Sequence, residues 1–338
     1  PDNADEIFVV GFSLLYSCDG GKTFTNRTEK VTTMLADDAK GGPHCDNHAM
    51  WIDPDDPDRI MLGTDGGLYI SRDRSKTWLH VNILPIAEFY AISVDSAKPY
   101  NIMGGTQDNG ALYGAAKPMA RDLEHWKRIP HAGGDQYVTR ADPNNPDTMY
   151  VEGMFGGMGR KDLKTGQGAD IRPGAPAGEP PLRFNWMTPY ILSHYNSQTL
   201  YAGANRVFKS ENRGDQWTCI SPDLSTNPGP EKQGDVPYGT ITDISESELQ
   251  KGLLYAGTDD GQVHATRDDG ATWQKINQGL PDKWVSRLVA SRYEVETVFV
   301  SLTGYREDDF EKYLYMSSDF GKTWKSIAGN LPSESINV

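Results

Sequence analysis

The sequence has few cysteines and no long apolar run. Its 338 residues include three cysteines, Cys18, Cys45 and Cys219, an odd number that excludes a complete disulfide framework. We expect reduced thiols, with one bridge plus a free thiol as the alternative. No apolar stretch reaches the about 18–20 residues of a membrane span, so membrane insertion is not expected.

Basic side chains are fewer than acidic ones. There are 33 Lys and Arg residues against 47 Asp and Glu residues, for a net charge of −14. Binding to a nucleic-acid backbone needs clustered basic side chains, and so does binding to an anionic membrane surface. The charge therefore argues against both partners and favours a neutral or cationic one.

Several familiar catalytic signatures are also missing. No serine nucleophile elbow, phosphate-binding loop or dinucleotide fingerprint is present. Glycine-rich pieces such as Gly153–Gly157 lack the strand-to-helix setting that a phosphate loop requires, and no cofactor is expected. The chain begins without Met or a signal peptide, so we expect a mature form or a piece of a longer chain.

The most informative stretch runs from His48 to Trp78. It contains four short apolar runs separated by tight turns such as Asp65-Gly66-Gly67. Runs of this length are too short for helices, so the stretch predicts a four-stranded meander. One such sheet cannot bury both faces and needs copies of itself packed alongside.

The final part of this stretch recurs as S/T-x-D-x-G-x-T-W. The five copies are Ser17–Phe24, Ser71–Trp78, Ser210–Trp217, Thr266–Trp273 and Ser317–Trp324. In this Asp-box the acid accepts hydrogen bonds from the turn, glycine takes a positive φ, and the aromatic ring packs under the hairpin. We therefore interpret the box carboxylates as structural.

The spacing of the boxes predicts an all-β fold, a seven-bladed β-propeller of four-stranded antiparallel blades. The gap between the second and third boxes has room for two units without a box. The first unit opens on a second strand, and the last residues resemble a first strand. We thus expect the terminal strands to pair and close the ring within a single domain, 1–338. The expected blades are 5–27 with 335–338, 44–80, 87–129, 134–182, 186–222, 238–278 and 284–329.

Loops before the first strand and between the second and third strands should share one face of the blades, opposite the Asp-boxes. Four carboxylates on that face are the candidate catalytic residues, because glycoside hydrolysis needs a pair of them: Asp46, Asp65, Asp108 and Asp135. Polar side chains in the corresponding loops are the candidate ligand-binding residues: His44, His48, Gln107, Asn109, Arg183, Asn205, Arg206, Asp259, Tyr305 and Arg306.

The segment from His44 to His48 is the densest of these. On a strand, residues 44, 46 and 48 would face the same side. Two histidines and a carboxylate could bind a divalent metal, form an acid–base pair, or serve as satisfied structural groups. No fourth metal ligand is evident, so no metal is assigned.

With the boxes, several further segments carry a family resemblance: His44–Pro54, Leu62–Ser71, Gly104–Gly110, Arg183–Pro189, Tyr201–Ser210 and Leu254–Val263. Together they resemble bacterial BNR-repeat propellers labelled glycosyl hydrolase or sortilin-like, over nearly the whole chain. Members of this group are often longer and carry two propellers, which implies a second propeller or a partner subunit.

This resemblance implies two different functions. Xyloglucan-active propeller hydrolases have a D-x-G-G-x-Y motif similar to Asp65–Tyr69, which lacks one residue of it. Sortilin-type propellers bind peptides and are not enzymes. Sialidases share the box, but no sialidase motif surrounds the arginines of this chain.

We therefore expect a secreted, periplasmic or cell-surface glycoside hydrolase with a carbohydrate ligand. Asp65 would act with one of Asp46, Asp108 or Asp135. Asp46 or Asp135 could serve as the acid and Asp65 as the base or nucleophile, with His48 tuning proton affinity. The alternative is a non-catalytic propeller that binds a peptide, glycan or partner protein.

Overall fold

The computed structural model describes residues 2–28, 42–81, 86–116, 126–129 and 134–337. The chain divides into two compact units, residues 1–139 and 140–338. Helical structure in the described residues is limited to single 3-10 turns at Met154–Gly156, Pro230–Lys232 and Tyr305–Glu307. None of these is long and apolar enough to cross a membrane.

The first unit contains three sheets of consecutive strands. The first sheet has three strands, and the next two have four each. The strands are β1 (Ile7–Val9), β2 (Leu15–Ser17) and β3 (Thr25–Asn26); β4 (Asn47–Ile52), β5 (Ile60–Thr64), β6 (Gly67–Ser71) and β7 (Leu79–His80); and β8 (Phe89–Val94), β9 (Asn101–Thr106), β10 (Gly110–Ala115) and β11 (Lys127–Ile129).

Four more four-stranded sheets follow, and the boundary between the units falls within β12. Their strands are β12 (Gln136–Asp142), β13 (Asn145–Gly153), β14 (Gly157–Asp162) and β15 (Gly168–Asp170); β16 (Tyr190–Leu192), β17 (Leu200–Gly203), β18 (Val207–Ser210) and β19 (Thr218–Cys219); β20 (Ile241–Glu246), β21 (Leu254–Thr258), β22 (Val263–Thr266) and β23 (Gln274–Lys275); and β24 (Trp284–Ala290), β25 (Val298–Gly304), β26 (Asp309–Ser317) and β27 (Lys325–Ser326).

This arrangement confirms the predicted fold class. Seven sheets, each an antiparallel meander of consecutive strands, form the blade pattern of a seven-bladed β-propeller. The first sheet opens on the strand expected to be second in its blade. Residues 335–337 are not in a strand, and they lie beside the seventh sheet, where Ser286 Oγ donates to Ile336 O at 3.1 Å. Pairing of the terminal strands stays a prediction.

The cores lie between successive sheets. In the first unit Leu14, Ile60 and Leu62 are completely buried in one cluster, and in the second unit Tyr255, Val285 and Leu302 are buried in another. Glycine on the second strand permits this packing, because a Cβ at Gly257 would stand 2.4 Å from Val285 Cγ1. The A-G-T piece at Gly257 is therefore a site of close approach between neighbouring sheets.

The Asp-boxes have the structural role that the sequence predicts. In every box the Ser or Thr hydroxyl donates to the Asp or Asn side chain, which also accepts the backbone N–H four residues later. Hydrogen bonds from Thr23 and Ser17 lower the pKa of Asp19 to about 2. Asn212 fills this role without a charge, so the box needs acceptors rather than an acid.

The cysteines form no disulfide bond. All three are free, with Cys18 exposed and Cys45 and Cys219 half-buried. Burial, followed by a hydrogen bond to Asp46, raises the pKa of the Cys45 thiol to about 12. This shift favours the thiol form of Cys45 over the reactive thiolate.

Candidate active site

Three of the predicted carboxylates lie at strand ends of the first unit. Asp65 directly follows β5, Asp108 lies in the turn between β9 and β10, and Asp135 directly precedes β12. In a meander the second turn of each sheet and the start of the first strand lie at the same end. This alternation brings the three residues to one end of their sheets.

Two β-bulges direct further side chains to the same place. The register between β4 and β5 skips His48, and the register between β8 and β9 skips Tyr90. A bulged residue leaves the regular alternation, which lets its side chain point in a new direction. His48 Nε2 contacts Asp65 Oδ1 at 2.5 Å, and the Tyr90 hydroxyl donates to Asp135 Oδ2 at 3.2 Å.

Asp135 is almost completely buried, with 6% of its surface exposed. Its Oδ1 accepts the backbone N–H of Asp108 at 2.9 Å, and its Oδ2 accepts the hydroxyls of Tyr90 and Tyr137, the latter at 3.3 Å. The two rings meet edge to face, with centroids 4.7 Å apart. Asp135 therefore lies beneath the Asp108 turn and faces the protein interior.

Asp108 has the most perturbed carboxyl group of this site. Burial raises its pKa to about 6, assisted by the charge of Asp135, a side-chain hydrogen bond with Asp65, and the charges of Asp65 and Asp46. The other three predicted carboxylates thus all act on Asp108. Neighbouring carboxylates disfavour one another's charge, so Asp108 holds its proton to a higher pH than a free aspartate does.

A cavity of about 500 Å³ opens beside Asp65 and Asp108. One side carries polar groups, including Asp65, Asp108 and the predicted ligand-binding residues Gln107 and Asn109. Asn109 Nδ2 donates to Asp65 O at 2.9 Å, which ties the two turns together. The remaining lining includes the apolar side chains Val81, Ile86 and Leu112, and also Glu88, His80 and Arg128.

The expectation that residues 44, 46 and 48 share a strand face is wrong. β4 begins at Asn47, Asp46 has a left-handed backbone with φ 56°, and His48 is the bulged residue. His44 instead hydrogen-bonds the carbonyls of Cys45 and Asp108, at 2.9 and 3.3 Å. The described residues contain no group of three His, Cys, Asp or Glu side chains arranged to hold a metal ion.

The other predicted ligand-binding residues belong to the second unit, where each has a local partner. Arg183 donates to Asp223 Oδ2 at 2.8 Å and to Gly239 O, while its own N–H donates to Asn205 Oδ1. Arg206 pairs with Glu179 at 3.1 Å. These contacts favour structural roles for Arg183, Asn205 and Arg206.

Asp259 meets that arginine network at Gly239, and the Tyr305–Arg306 turn holds the remaining two predicted residues. Asp259 is 3% exposed and accepts hydrogen bonds from Gly239 and Thr240. Burial raises the pKa of Asp259 to about 6. The Arg306 guanidinium lies between aromatic rings, 4.0 Å from the Trp284 centroid and 4.5 Å from that of Tyr305.

The list of candidate residues omitted three groups that shape the site. Tyr137 holds Asp135, and His80 and Arg128 line the cavity. Tyr137 lies two residues after Asp135, so strand alternation could have placed both on one side. His80 and Arg128 come from outer strands, and no sequence signal connects them to the turns.

Comparisons with known proteins identify one repeat directly. The model of the BNR-Asp box repeat matches residues 314–327, which include the fifth box, and the predicted resemblance to this repeat is confirmed. None of the curated proteins matches the sequence significantly.

Three solved structures are similar to this chain. A GH74 enzyme from Niastella koreensis is 15% identical, with 96% of this chain and 64% of the enzyme covered and a TM-score of 0.30. YCF48 from Cyanidioschyzon merolae is 14% identical, with 82% and 84% covered and a TM-score of 0.46. An ancestral GH74 enzyme is 16% identical, with 97% of this chain and 37% of the enzyme covered and a TM-score of 0.36. This chain thus spans less than two thirds of either GH74 enzyme.

Proposed function

We propose that this protein is a glycoside hydrolase whose reaction takes place at Asp65 and Asp108. The observation that carries the proposal is that Asp65 and Asp108 both line the cavity, where burial and neighbouring carboxyl groups raise the pKa of Asp108 to about 6. Glycoside hydrolysis needs one protonated and one ionised carboxyl group at the scissile bond. Such enzymes raise the pKa of one carboxyl group above that of the other, so that one donates a proton while the other is ionised.

In this proposal Asp108 is the general acid, because its pKa is raised to about 6. It donates its proton to the glycosidic oxygen as the bond to the leaving group breaks. Asp65 is the carboxylate that acts on the anomeric carbon, with His48 in contact with its Oδ1. Asp108 replaces Asp46 and Asp135 as the expected acid, since Asp135 is buried under the turn.

The closeness of the pair points to retention of anomeric configuration. Inverting enzymes hold their carboxyl groups about 6.5–9.5 Å apart to admit a water molecule, whereas retaining enzymes hold them about 5–5.5 Å apart. Asp65 and Asp108 lie close enough for Asp65 to raise the pKa of Asp108, which supports the shorter spacing rather than the longer one. Asp65 would thus form a glycosyl ester, which water then hydrolyses with Asp108 as the base.

The lining favours a neutral sugar as substrate. Asp65, Asp108 and Glu88 place negative charge around the cavity, with Arg128 as a cationic group in its described lining. An anionic uronic acid would be repelled by these carboxylates. The apolar side chains Val81, Ile86 and Leu112 could contact the C–H face of a sugar ring.

We also propose that the protein acts outside the cytoplasm, because a polysaccharide too large to enter a cell must be cleaved there. A second propeller or a partner subunit would extend the cavity for a polymeric chain. Cell fractionation and the mass of the native protein in solution test these two statements separately.

The decisive experiment measures release of reducing ends from neutral and uronate-containing polysaccharides. We expect release from a neutral substrate by the wild type and a loss of at least about 100-fold in Asp65→Asn and Asp108→Asn. Asp73→Asn is the matched control in the same unit, because Asn212 fills that box position elsewhere. Proton NMR of the first product should show the retained anomer.

Other outcomes would redirect the proposal. Binding to a glycan or peptide without release, in every variant, would instead support the non-catalytic sortilin-like function. Equal release by wild type, Asp65→Asn and Asp108→Asn would remove these two residues from the reaction.

A further inference from the structure

The turn that carries Asp108 is held in an uncommon conformation. Asp108 has φ 55°, in the left-handed region that residues with a side chain seldom occupy. Its backbone N–H donates to Asp135, and its carbonyl accepts from His44 Nε2. On either side, Gln107 N–H donates to Glu88 O at 3.0 Å, and Asn109 Nδ2 donates to Asp65 O.

Two tyrosines hold the acid beneath this turn, Tyr137 completely buried and Tyr90 partly exposed. The hydroxyls of Tyr90 and Tyr137 both donate to Asp135 Oδ2, and donors of this kind favour the charged carboxylate. Burial, and then the charge of Asp135, raises the pKa of Tyr90 far above its ordinary value, so this phenol stays a donor at every working pH. The Asp135 carboxyl group is thereby fixed directly under the Asp108 turn.

We propose that Asp135 is a positioning residue, fixed by Tyr90 and Tyr137, that both shapes the Asp108 turn and keeps the proton on the Asp108 carboxyl. It does not touch the substrate. This inference rests on the proposed function for its catalytic consequence, but the hold on the Asp108 proton can be measured without any reaction.

Other charged and titratable groups also face Asp108, and they define the controls. They are Asp65 with His48 behind it, Asp46, His44, Cys45, Glu88, Tyr90 and Arg128. Among the charged groups, Asp135 has the largest effect on the pKa of Asp108. Removal of the Asp135 charge should therefore have a larger effect than removal of the Asp46 charge.

The test follows the Asp108 carboxyl by carbon-13 NMR across a pH series, with the signal assigned by its absence in Asp108→Asn. In Asp135→Asn we expect the Asp108 titration to move down by about one pH unit. Tyr137→Phe and Tyr90→Phe should move it the same way by less, because each weakens the hold on the charged Asp135. Tyr255→Phe is the control, since that buried hydroxyl has no hydrogen-bond partner among the described residues.

If the protein releases sugar, Asp135→Asn should lower kcat about tenfold near neutral pH and move the basic limb of the pH profile downward, with KM nearly unchanged. A group that only supports the fold would lower the amount of active protein and leave the profile in place.

The outcomes separate the two proposals. If the Asp108 titration shifts but neither the wild type nor any variant releases sugar, the proposed hydrolase activity is overturned and the positioning role of Asp135 is retained. If the Asp108 titration does not shift in folded Asp135→Asn, the positioning role of Asp135 is overturned, whatever the activity. Should Asp135→Asn fail to fold, unshifted titration in both phenylalanine variants would also overturn it.

Discussion

At the scale of single residues, the box glycines adopt a positive φ and also leave space for a side chain of the preceding sheet. Gly321 has φ +84°, and a Cβ added there would stand 2.4 Å from Ile276 Cδ1. Gly270 and Gly214 meet Ile220 and Ile171 in the same way, at 2.8 Å. Each isoleucine follows the last strand of the preceding sheet, so box glycines also admit a neighbour's side chain.

Gly321→Ala should destabilise the protein by about 2–4 kcal/mol, because backbone strain and overpacking add. Gly279→Ala isolates the strain, since Gly279 has φ +92° with no other atom within 4 Å of the added Cβ. We expect it to cost about 1 kcal/mol. Urea unfolding measures both, and equal losses would contradict the packing contribution of Ile276.

Asp108 should reduce stability at neutral pH. Its pKa is about 6 in the folded protein against 3.8 in the reference state, so folding favours the protonated form. The stabilising contribution is complete below the lower value and is lost as the pH rises through the higher one. Asp108→Asn should therefore raise the unfolding free energy by about 1 kcal/mol near pH 7.5, a figure discounted for its partial exposure.

The same substitution should have little effect near about pH 3, where Asp108 is largely protonated in both states. Urea titrations at the two pH values make the comparison. A stabilisation of equal size at both would mean that the proton on Asp108 is not its source.

At the scale of elements, tryptophan side chains join successive sheets of the second unit. The indole N–H groups of Trp217, Trp273 and Trp324 donate to the carbonyls of Ile171, Ile220 and Ile276, at 2.7–2.8 Å. The box is therefore a link between sheets as well as a hairpin turn. Trp78 differs, because its buried indole N–H has no partner among the residues that the structure describes.

Trp324→Phe should cost about 1 kcal/mol more than Trp78→Phe in unfolding free energy, because only the former leaves a carbonyl without its donor. Both changes remove similar volume, so the difference isolates the hydrogen bond. Urea unfolding followed by circular dichroism provides the values. Equal losses would assign the role of Trp324 to ring packing alone.

At the scale of the whole molecule, two sets of carboxyl groups change the folding stability in opposite directions as the pH rises. Hydrogen bonds lower the pKa of the box acids Asp19 and Asp319 to about 2, whereas burial raises the pKa of Asp108 and Asp259 to about 6. The former stabilise above pH 3.8 and lose this effect in acid; the latter lose theirs as the pH rises through 6. The net charge of −14 at pH 7 adds self-repulsion in the same direction.

The melting temperature should therefore be highest at about pH 4–5 and fall on both sides. Differential scanning calorimetry from acid to neutral pH, with Asp259→Asn as the comparison, checks this profile. The variant should show a smaller fall on the neutral side. A melting temperature that rises steadily towards neutral pH would contradict the assignment of the raised carboxyl groups.

Local patterns determined much of this architecture before any tertiary contact was considered. The Asp-box is a set of hydrogen bonds within a few residues, so Ser317, Asp319 and Thr323 specify their turn unaided. Short apolar runs between turn residues likewise specify strands of a meander. Turns of a meander alternate between its two ends. The sequence alone therefore predicted that Asp65, Asp108 and Asp135 lie at the same end of their sheets.

Only the tertiary structure decided what these carboxyl groups can do. The bulges at His48 and Tyr90, the left-handed backbone at Asp46 and Asp108, and the burial of Asp135 depend on contacts between neighbouring sheets. Proton affinity depends on burial and on distances between charges far apart in sequence. A single sequence encodes those distances only through packing, which is why it named the carboxylates but not the member of the pair that retains the proton.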